Sequence, residues 1–557
     1  MKHQLTIIII SIVAVSFGSK VSAQQLLDRI DVTLSPTELT FKSQHNDIDL
    51  KSEKELFENP AYTNYIVTSD TTTSRFSSIV YGGLSGASSR GDFLPYQGNG
   101  STDYRTGAYA TYSTPASGTL AGNINYARGI HRRIGWSAMR QPQLYLPYIS
   151  TDSIGGDFHF ENYHVDGSYS IGIGKQWTLG GRIAFTGEQA YRTTDPRALT
   201  NTTWLRFSLG VVRDFNRHKL LIDAGYARNK QHVQMRYWRP GQQDRFFVCY
   251  GFGLYDVRQS AVLFGKSRMY YVDQFSARIQ YLSPQIQPLR LHASIAYSFC
   301  NMQTEESDIY NLYESKTRTI QPQVLLTFSP KSLWTVSLHA SSDILLRRGY
   351  ENIIEEYLID KANNIYDFRT IDTQQNYSYS QSSTTAALRL ARQLGSFALS
   401  LQAGVSAFSR QEKYSVGSYM IENSALTPHV KIGFSHACKK SEISIAALCG
   451  RQHPRKHTYD VDIQNQDIQH LDFQHAFTPY AYYASRFRFS TLSLTYKHNL
   501  KRMTAGVSCK LYVSNGNRLA DVAYSGNIGF PSSAPTISKL PDEHDEKWGA
   551  ITLFLSF

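Results

Sequence analysis

The sequence predicts an all-β protein: a transmembrane antiparallel β-barrel of 16 to 18 strands with a short N-terminal plug or tail. Three observations carry that expectation. Hydrophobic residues alternate strictly in many segments, the connections between them are short and long by turns, and the aromatic content is weighted towards tyrosine. Among 557 residues there are 37 Tyr, 28 Phe and 6 Trp, a composition that favours strands and interfaces. The one long apolar run, Ile7 to Gly18, is shorter than the ~18 residues that a spanning helix requires. Passage through a membrane by helices is therefore excluded.

That apolar run reads as an export signal over residues 1–23. Lys2 supplies the positive start, Leu5 to Phe17 the greasy stretch, and Val21-Ser22-Ala23 a small-residue cleavage site before Gln24. Residues 24–74 lack alternation and are expected to form a plug or periplasmic segment, leaving 75–557 for the barrel. The five cysteines, at 249, 300, 438, 449 and 509, are odd in number and scattered, so no disulfide framework is readable. Cys449 is expected as a small buried hydrophobe. A formal charge of +12 on an exported chain makes nucleic acid a poor partner and an anionic membrane surface or solute a better one.

Within 75–557 the alternation sends successive side chains to opposite faces of a sheet. Leu289, Leu291, Ala293, Ile295, Tyr297 and Phe299 share one face, with Arg290, His292, Ser294 and Ser298 on the other. Trp334 to Ser341 and Phe397 to Ala407 repeat the pattern. Short breakers such as 114–116, 174–176, 216–218, 330–332 and 439–441 join strands in pairs, whereas the pairs are separated by long polar stretches at 131–157, 230–271, 347–377, 453–475 and 515–546. One tight and one elaborate end is the asymmetry of an outer-membrane barrel, in which a closed sheet leaves no backbone group unpaired in lipid. The soluble competitors, a row of sandwiches or a propeller, would show a repeat of about 40 to 50 residues, and none is found.

The chain stops on Ile551, Leu553, Leu555 and Phe557, alternating with Thr552 and Ser556. This resembles the C-terminal signature of Gram-negative outer-membrane barrels, which implies that Phe557 is the membrane-insertion signal read by the barrel-assembly machinery. The stretch Glu58-Asn59-Pro60-Ala61-Tyr62 resembles the Asn-Pro-Ala turn near the N-terminus of the long-chain fatty-acid transporter superfamily, with Tyr62 where a small residue is usual. That resemblance implies a plug turn at Asn59, Pro60 and Ala61 within the pore; Asn-Pro also starts ordinary turns. As a whole the chain is similar to the large Gram-negative outer-membrane β-barrels of unknown function.

The face opposite the apolar stripe places Arg182, Arg206, Arg278, Arg290, Arg389, Lys431 and Lys510 in the lumen, against Asp223 and Glu442. Rings of Arg or Lys favour anions, and Arg132, Arg133, Arg140, Arg236, Arg239 and Arg245 in the outer stretches are expected to gather them. Trp177, Tyr297, Trp334, Tyr496 and Trp548 are assigned to aromatic girdles at headgroup depth; a sugar-stacking platform at Tyr480, Tyr482 and Tyr483 is the alternative. No Gly-x-Ser-x-Gly elbow occurs, and His453 and His457 flank Pro454 in what reads as loop. No catalytic residue, metal site or cofactor is assigned. Acidic runs at Glu351, Glu355, Glu356 and Asp360, and at Asp542 to Glu546, are expected to be hydrated, with a cation bridge to lipopolysaccharide as the sharper alternative. The expected function is a porin-like channel or transporter in the bacterial outer membrane for small hydrophilic solutes, anions among them. A non-conducting accessory subunit of a surface uptake or secretion complex is the alternative. The expected partners are outer-membrane lipid and lipopolysaccharide, the barrel-assembly machinery and, under the alternative, a surface-complex partner.

Overall fold

Strands dominate the structure, a computed structural model. It describes residues 58–62 and 75–557, except 92–93, 115–116, 153, 216, 237, 239–244, 252–253, 260–266, 285–287, 307–308, 331–333, 361, 364, 417–418, 461–479, 502 and 518–542. Residues 1–23, expected to be the signal segment, and the rest of 24–74 lie outside the described residues.

In chain order the strands are β1 (Arg75–Gly91), β2 (Gly100–Thr114), β3 (Gly118–Ile134), β4 (Ser150–Thr151), β5 (Gly156–Ile173), β6 (Trp177–Arg192), β7 (Arg197–Phe215) and β8 (His218–Arg236). They continue as β9 (Arg245–Gly251), β10 (Leu254–Gln259), β11 (Ser267–Leu282), β12 (Leu289–Glu306), β13 (Ile309–Phe328), β14 (Trp334–Asp360) and β15 (Ile365–Leu394). The last are β16 (Phe397–Tyr414), β17 (Tyr419–Ala437), β18 (Ser441–Arg451), β19 (His453–Asp460), β20 (Arg486–Asn499), β21 (Thr504–Asn517) and β22 (Glu543–Ser556).

All but β4, β9 and β10 belong to one antiparallel sheet, in which each strand pairs with its sequence neighbours. β18 and β19 are two halves of one strand, since both pair with β17, so the barrel has 18 strands. It closes where β22 meets β1, Ile79 opposite Ser556 through to Gly91 opposite His544. At the foot of that seam Phe557 and Ser78 exchange backbone hydrogen bonds of 2.8 and 3.2 Å.

Alternation explains which face turns outward. Leu205, Phe207 and Leu209 on β7, Leu399 and Leu401 on β16, and Leu553 and Leu555 on β22 are exposed, forming a continuous apolar belt around a closed wall. Trp177 and Trp334 stand exposed at the short-turn end, with the guanidinium of Arg213 4.9 Å over the first ring and that of Arg392 4.8 Å over the second. An amphipathic ring beside a cation fits headgroup depth. Trp548 does not join this girdle. Its position on β22 turns it inward, where it packs against Leu448, Phe487, Phe489 and Tyr512. Cys449, expected to be buried, lies exposed on the outer face, and no disulfide joins the five cysteines.

Several stretches read as loop are strand. β14 and β15 take in 347–360 and 365–377, β19 takes in His453 and His457, and β3 and β5 take both ends of 131–157. Above the hydrocarbon no apolar belt is needed, so strands there carry polar residues on both faces and lose the alternation that reveals them.

Candidate functional site

The barrel interior is built in two storeys. The lower storey, at the short-turn end, holds residues 58–62 against the inner wall of β6, β7 and β8. Asn59 folds the turn: its Oδ1 accepts a hydrogen bond from the Ala61 amide at 2.9 Å, its carbonyl accepts one from the Tyr62 amide at 3.1 Å, and its Nδ2 donates to the Ile222 carbonyl at 3.1 Å. An Asn-Pro pair nucleates such turns because the side chain mimics the backbone and proline presets φ. The wall receives the turn at two glycines. A Cβ at Gly180 would overlap the Pro60–Ala61 backbone, and one at Gly210 would overlap Asn59 and Pro60. Ala61 and Tyr62 complete the seat on Val212 and Leu221, and Glu58 forms an ion pair with Arg278.

The basic residues read from alternation do not stand as one bare ring. Arg182 is held by Asp166 at 2.9 Å, which also accepts from Asn123 and contacts His164. Arg206 lies 4.2 Å over the Trp204 ring, and Arg278 is engaged by Glu58. Arg290 is exposed near the short-turn end, and Arg389, Lys431 and Lys510 lie half-buried on inward positions of β15, β17 and β21. Sequence reasoning missed inward-facing Asp103, which binds Arg105 at 2.9 Å, Asp166, and Lys497, which faces Glu442 at 3.4 Å. Parity with the outward Tyr104 and Tyr163 is the signal that would have found both aspartates.

The upper storey is filled by the protein's own loops. Residues 135–152 fold inward, and β4 pairs there with β9, which pairs with β10, as a three-stranded sheet inside the barrel. Tyr145, Tyr148, Ile149, Val248 and Cys249 bury against inward side chains of β5, β8, β11 and β12, including Phe158, Met235, Tyr270 and Met302. Tyr148 stacks on Tyr313 at 4.8 Å, and β14 admits it at Gly349, where a Cβ would strike its ring. Tyr145 donates to Asn229 at 2.7 Å. Burial is the main cause that pushes the Tyr145 and Tyr148 hydroxyls far above the usual phenol range, so both stay neutral donors.

Two buried ion pairs pin this cover. Arg140, expected to be a solvated anion collector, is buried and clamps Glu188. Asp152 binds Arg192 at 2.5 Å with both side chains almost fully buried. A third, Arg268 with Glu306, joins β11 to β12 beside it, where Arg268 also donates to the Tyr148 carbonyl at 3.4 Å.

A second inward fold, residues 480–485, lies against β16 and β17. The Tyr483 ring stacks on Phe408 at 5.2 Å, and the Arg410 guanidinium lies 4.3 Å over it. Tyr482 donates to Glu546 at 3.0 Å, and Tyr480 packs on Tyr459 at 5.2 Å. The three tyrosines considered as a sugar platform are thus occupied by protein. Gln452, the break between β18 and β19, donates to the Ser485 carbonyl at 3.2 Å, so the wall is interrupted where this fold is bound.

The acidic run at 351–360 does not converge, and Asp542 of the second run lies outside the described residues. Glu351 accepts from Tyr414 and Asn376, Glu355 pairs with Arg369, and Asp360 accepts from Asn363. Among the described residues no three His, Cys, Asp or Glu side chains meet as metal ligands.

In fold the chain is similar to a copper transporter, OprC, at a TM-score of 0.42 and 8% identity over 88% of this chain and 81% of that one. It is also similar to the ferric enterobactin receptor PfeA of Pseudomonas aeruginosa, in a G324V mutant structure (TM-score 0.36, 9% identity, 86% and 80% covered), and to BauA, the ferric preacinetobactin receptor of Acinetobacter baumannii (TM-score 0.36, 6% identity, 86% and 79% covered). These are a copper transporter and ferric receptors rather than the fatty-acid transporters whose turn residues 59–61 resemble, and at such similarity they carry no argument about what this chain binds. No curated protein matches it in sequence. A family match covers residues 69–552, nearly the whole barrel, and by that match the chain belongs to the family of unknown function DUF6850.

Proposed function

We infer that the protein is a bacterial outer-membrane transporter for small hydrophilic solutes, anions among them, closed at rest by its own outer loops. The observation that supports this most is the cover itself. A polar lumen is capped by a small sheet seated through buried Arg140–Glu188 and Asp152–Arg192 pairs. Buried ion pairs add little net stability compared with apolar packing, yet breaking one is costly, so they suit a seat with one defined closed position. Arg206, Arg290, Arg389, Lys431 and Lys510 on inward positions support the anion preference. No catalysis is assigned to the barrel.

Planar-bilayer recording tests the reading. The wild-type protein is expected to conduct rarely, and Glu188→Gln combined with Asp152→Asn to raise open probability several-fold, with a reversal potential under a salt gradient that favours anions. Cation preference overturns the solute class. Silence of the wild type and of the loosened variant overturns transport and leaves the second reading, a non-conducting accessory subunit of a surface complex, which the filled upper storey also favours.

A further inference from the structure

Between the two storeys the inner wall carries a cation with no counter-charge of its own. Going up β7 from the seat of the turn, the inward residues are Gly210, Ser208, Arg206 and Trp204, roughly 20 Å of strand at about 3.3 Å per residue. Gly210 receives the 58–62 turn, whereas Trp204 stands opposite Asn229, to which Tyr145 of the cover donates. Arg206 therefore lies between floor and roof. It stands opposite Ala184 on β6 and Ala227 on β8, and these small neighbours leave it exposed. Its described contact is the Trp204 ring at 4.2 Å, and among the described residues no carboxylate forms an ion pair with it. The buried Trp204 Nε1 beside it likewise meets no acceptor among those residues.

Glu58 is the carboxylate that reaches this wall from the turn. It holds Arg278, and its charge also attracts Arg206, which the Arg182 guanidinium repels. Arg182 is committed to Asp166 at 2.9 Å, and Asp223 stands directly opposite Arg278 in the register. Among these three guanidiniums and three carboxylates the charges balance only while Glu58 is seated. Its side chain is nevertheless 44% exposed, so a solute in the lumen can take its place.

We propose that Arg206 and Arg278 form a binding site for a small carboxylate, which Glu58 fills as a tethered stand-in, so that an entering carboxylate competes with Glu58 and frees the 58–62 turn. The group already seated there defines the chemistry, because a pair of guanidiniums that accepts a carboxylate from the chain accepts the same group from a solute. A tethered group acts as if present at a concentration on the order of millimolar, and a competing solute works in the same range. Removing Glu58 therefore raises affinity for the solute, and removing Arg206 lowers it. The use of this competition in passage rests on the transport proposed above; the binding itself does not.

Acetate, with chloride at equal concentration as the control, tests the site on the full chain in detergent. Hydrogen exchange at the Ala61 and Tyr62 amides, both held by Asn59, is expected to quicken several-fold in acetate and not in chloride. Saturation-transfer NMR on the acetate methyl is expected to show several-fold tighter binding to Glu58→Gln than to the wild type and loss of binding in Arg206→Gln, while heat-modifiable migration reports an intact barrel. Equal exchange in the two salts, no gain of affinity in Glu58→Gln, or undiminished binding in Arg206→Gln overturns the proposal. Should Glu58→Gln fail to assemble, exchange in the wild type and in Arg206→Gln decides, and acetate sensitivity that survives the loss of Arg206 overturns it. A barrel silent in planar bilayers that shows the competition keeps the site and loses transport; a conducting barrel without the competition keeps transport and loses the site.

Discussion

Asp152 uses both of its carboxylate oxygens: Oδ2 joins the loop cover to the wall at Arg192, and Oδ1 accepts from the amides of Ile154 and Gly155 within the cover at 2.9 and 2.8 Å. Asp152→Ala leaves the fully buried Arg192 without its counter-charge, which costs on the order of 3–5 kcal/mol. The expected outcome is faster hydrogen exchange at 149–151 and 247–250 and a lower unfolding temperature in detergent. Removing Arg197 from its exposed pair with Asp195 is expected to change neither, since water screens such pairs. Nothing in the sequence marks Asp152 or Arg140 for this role. Each is a charged residue in a polar stretch, and only the fold shows that the stretch turns inward. Arg182 was legible because two-residue periodicity sets it opposite Ile183 and Phe185, but its partner Asp166 comes from another strand and a different register.

At the scale of elements, the turn at 58–62 depends on absent side chains in β6 and β7. Gly180→Val or Gly210→Val is expected to unseat it, so that protease added from the periplasmic side cleaves the N-terminal segment several-fold faster while the barrel keeps its heat-modifiable mobility. Gly167→Ala serves as the control, because a Cβ there meets nothing within 4 Å. Alternation also shows where sequence reasoning reaches. β12 and β16 are readable in their lower halves, where one face meets hydrocarbon. β14 and β15 fade above that level, and the reading at 347–377 failed there although the strands continue.

For the molecule as a whole, closure is the decisive event, and β22 makes it by pairing with β1 from Ile79 opposite Ser556 to Gly91 opposite His544. Phe557→Ala keeps both backbone bonds to Ser78 and removes only the ring. If the ring is what the assembly machinery reads, the variant is expected to accumulate several-fold less folded barrel in cells and yet refold from denaturant into detergent at wild-type yield. Equal accumulation in cells would remove Phe557 as the insertion signal.

By itself the sequence determined a closed antiparallel barrel, its outward belt and its short-turn end, because hydrocarbon imposes a local two-residue rule that each strand must obey separately. Only the tertiary structure decided that the upper lumen is filled by residues 135–152, β9, β10 and 480–485, and that the basic lining is partly neutralised by Asp103, Asp166 and Glu58. It also decided that β14 and β15 pair on with each other beyond their last contacts with β13 and β16. Those features arise from contacts between segments far apart in the chain, and no local periodicity encodes which distant side chain will meet a buried charge.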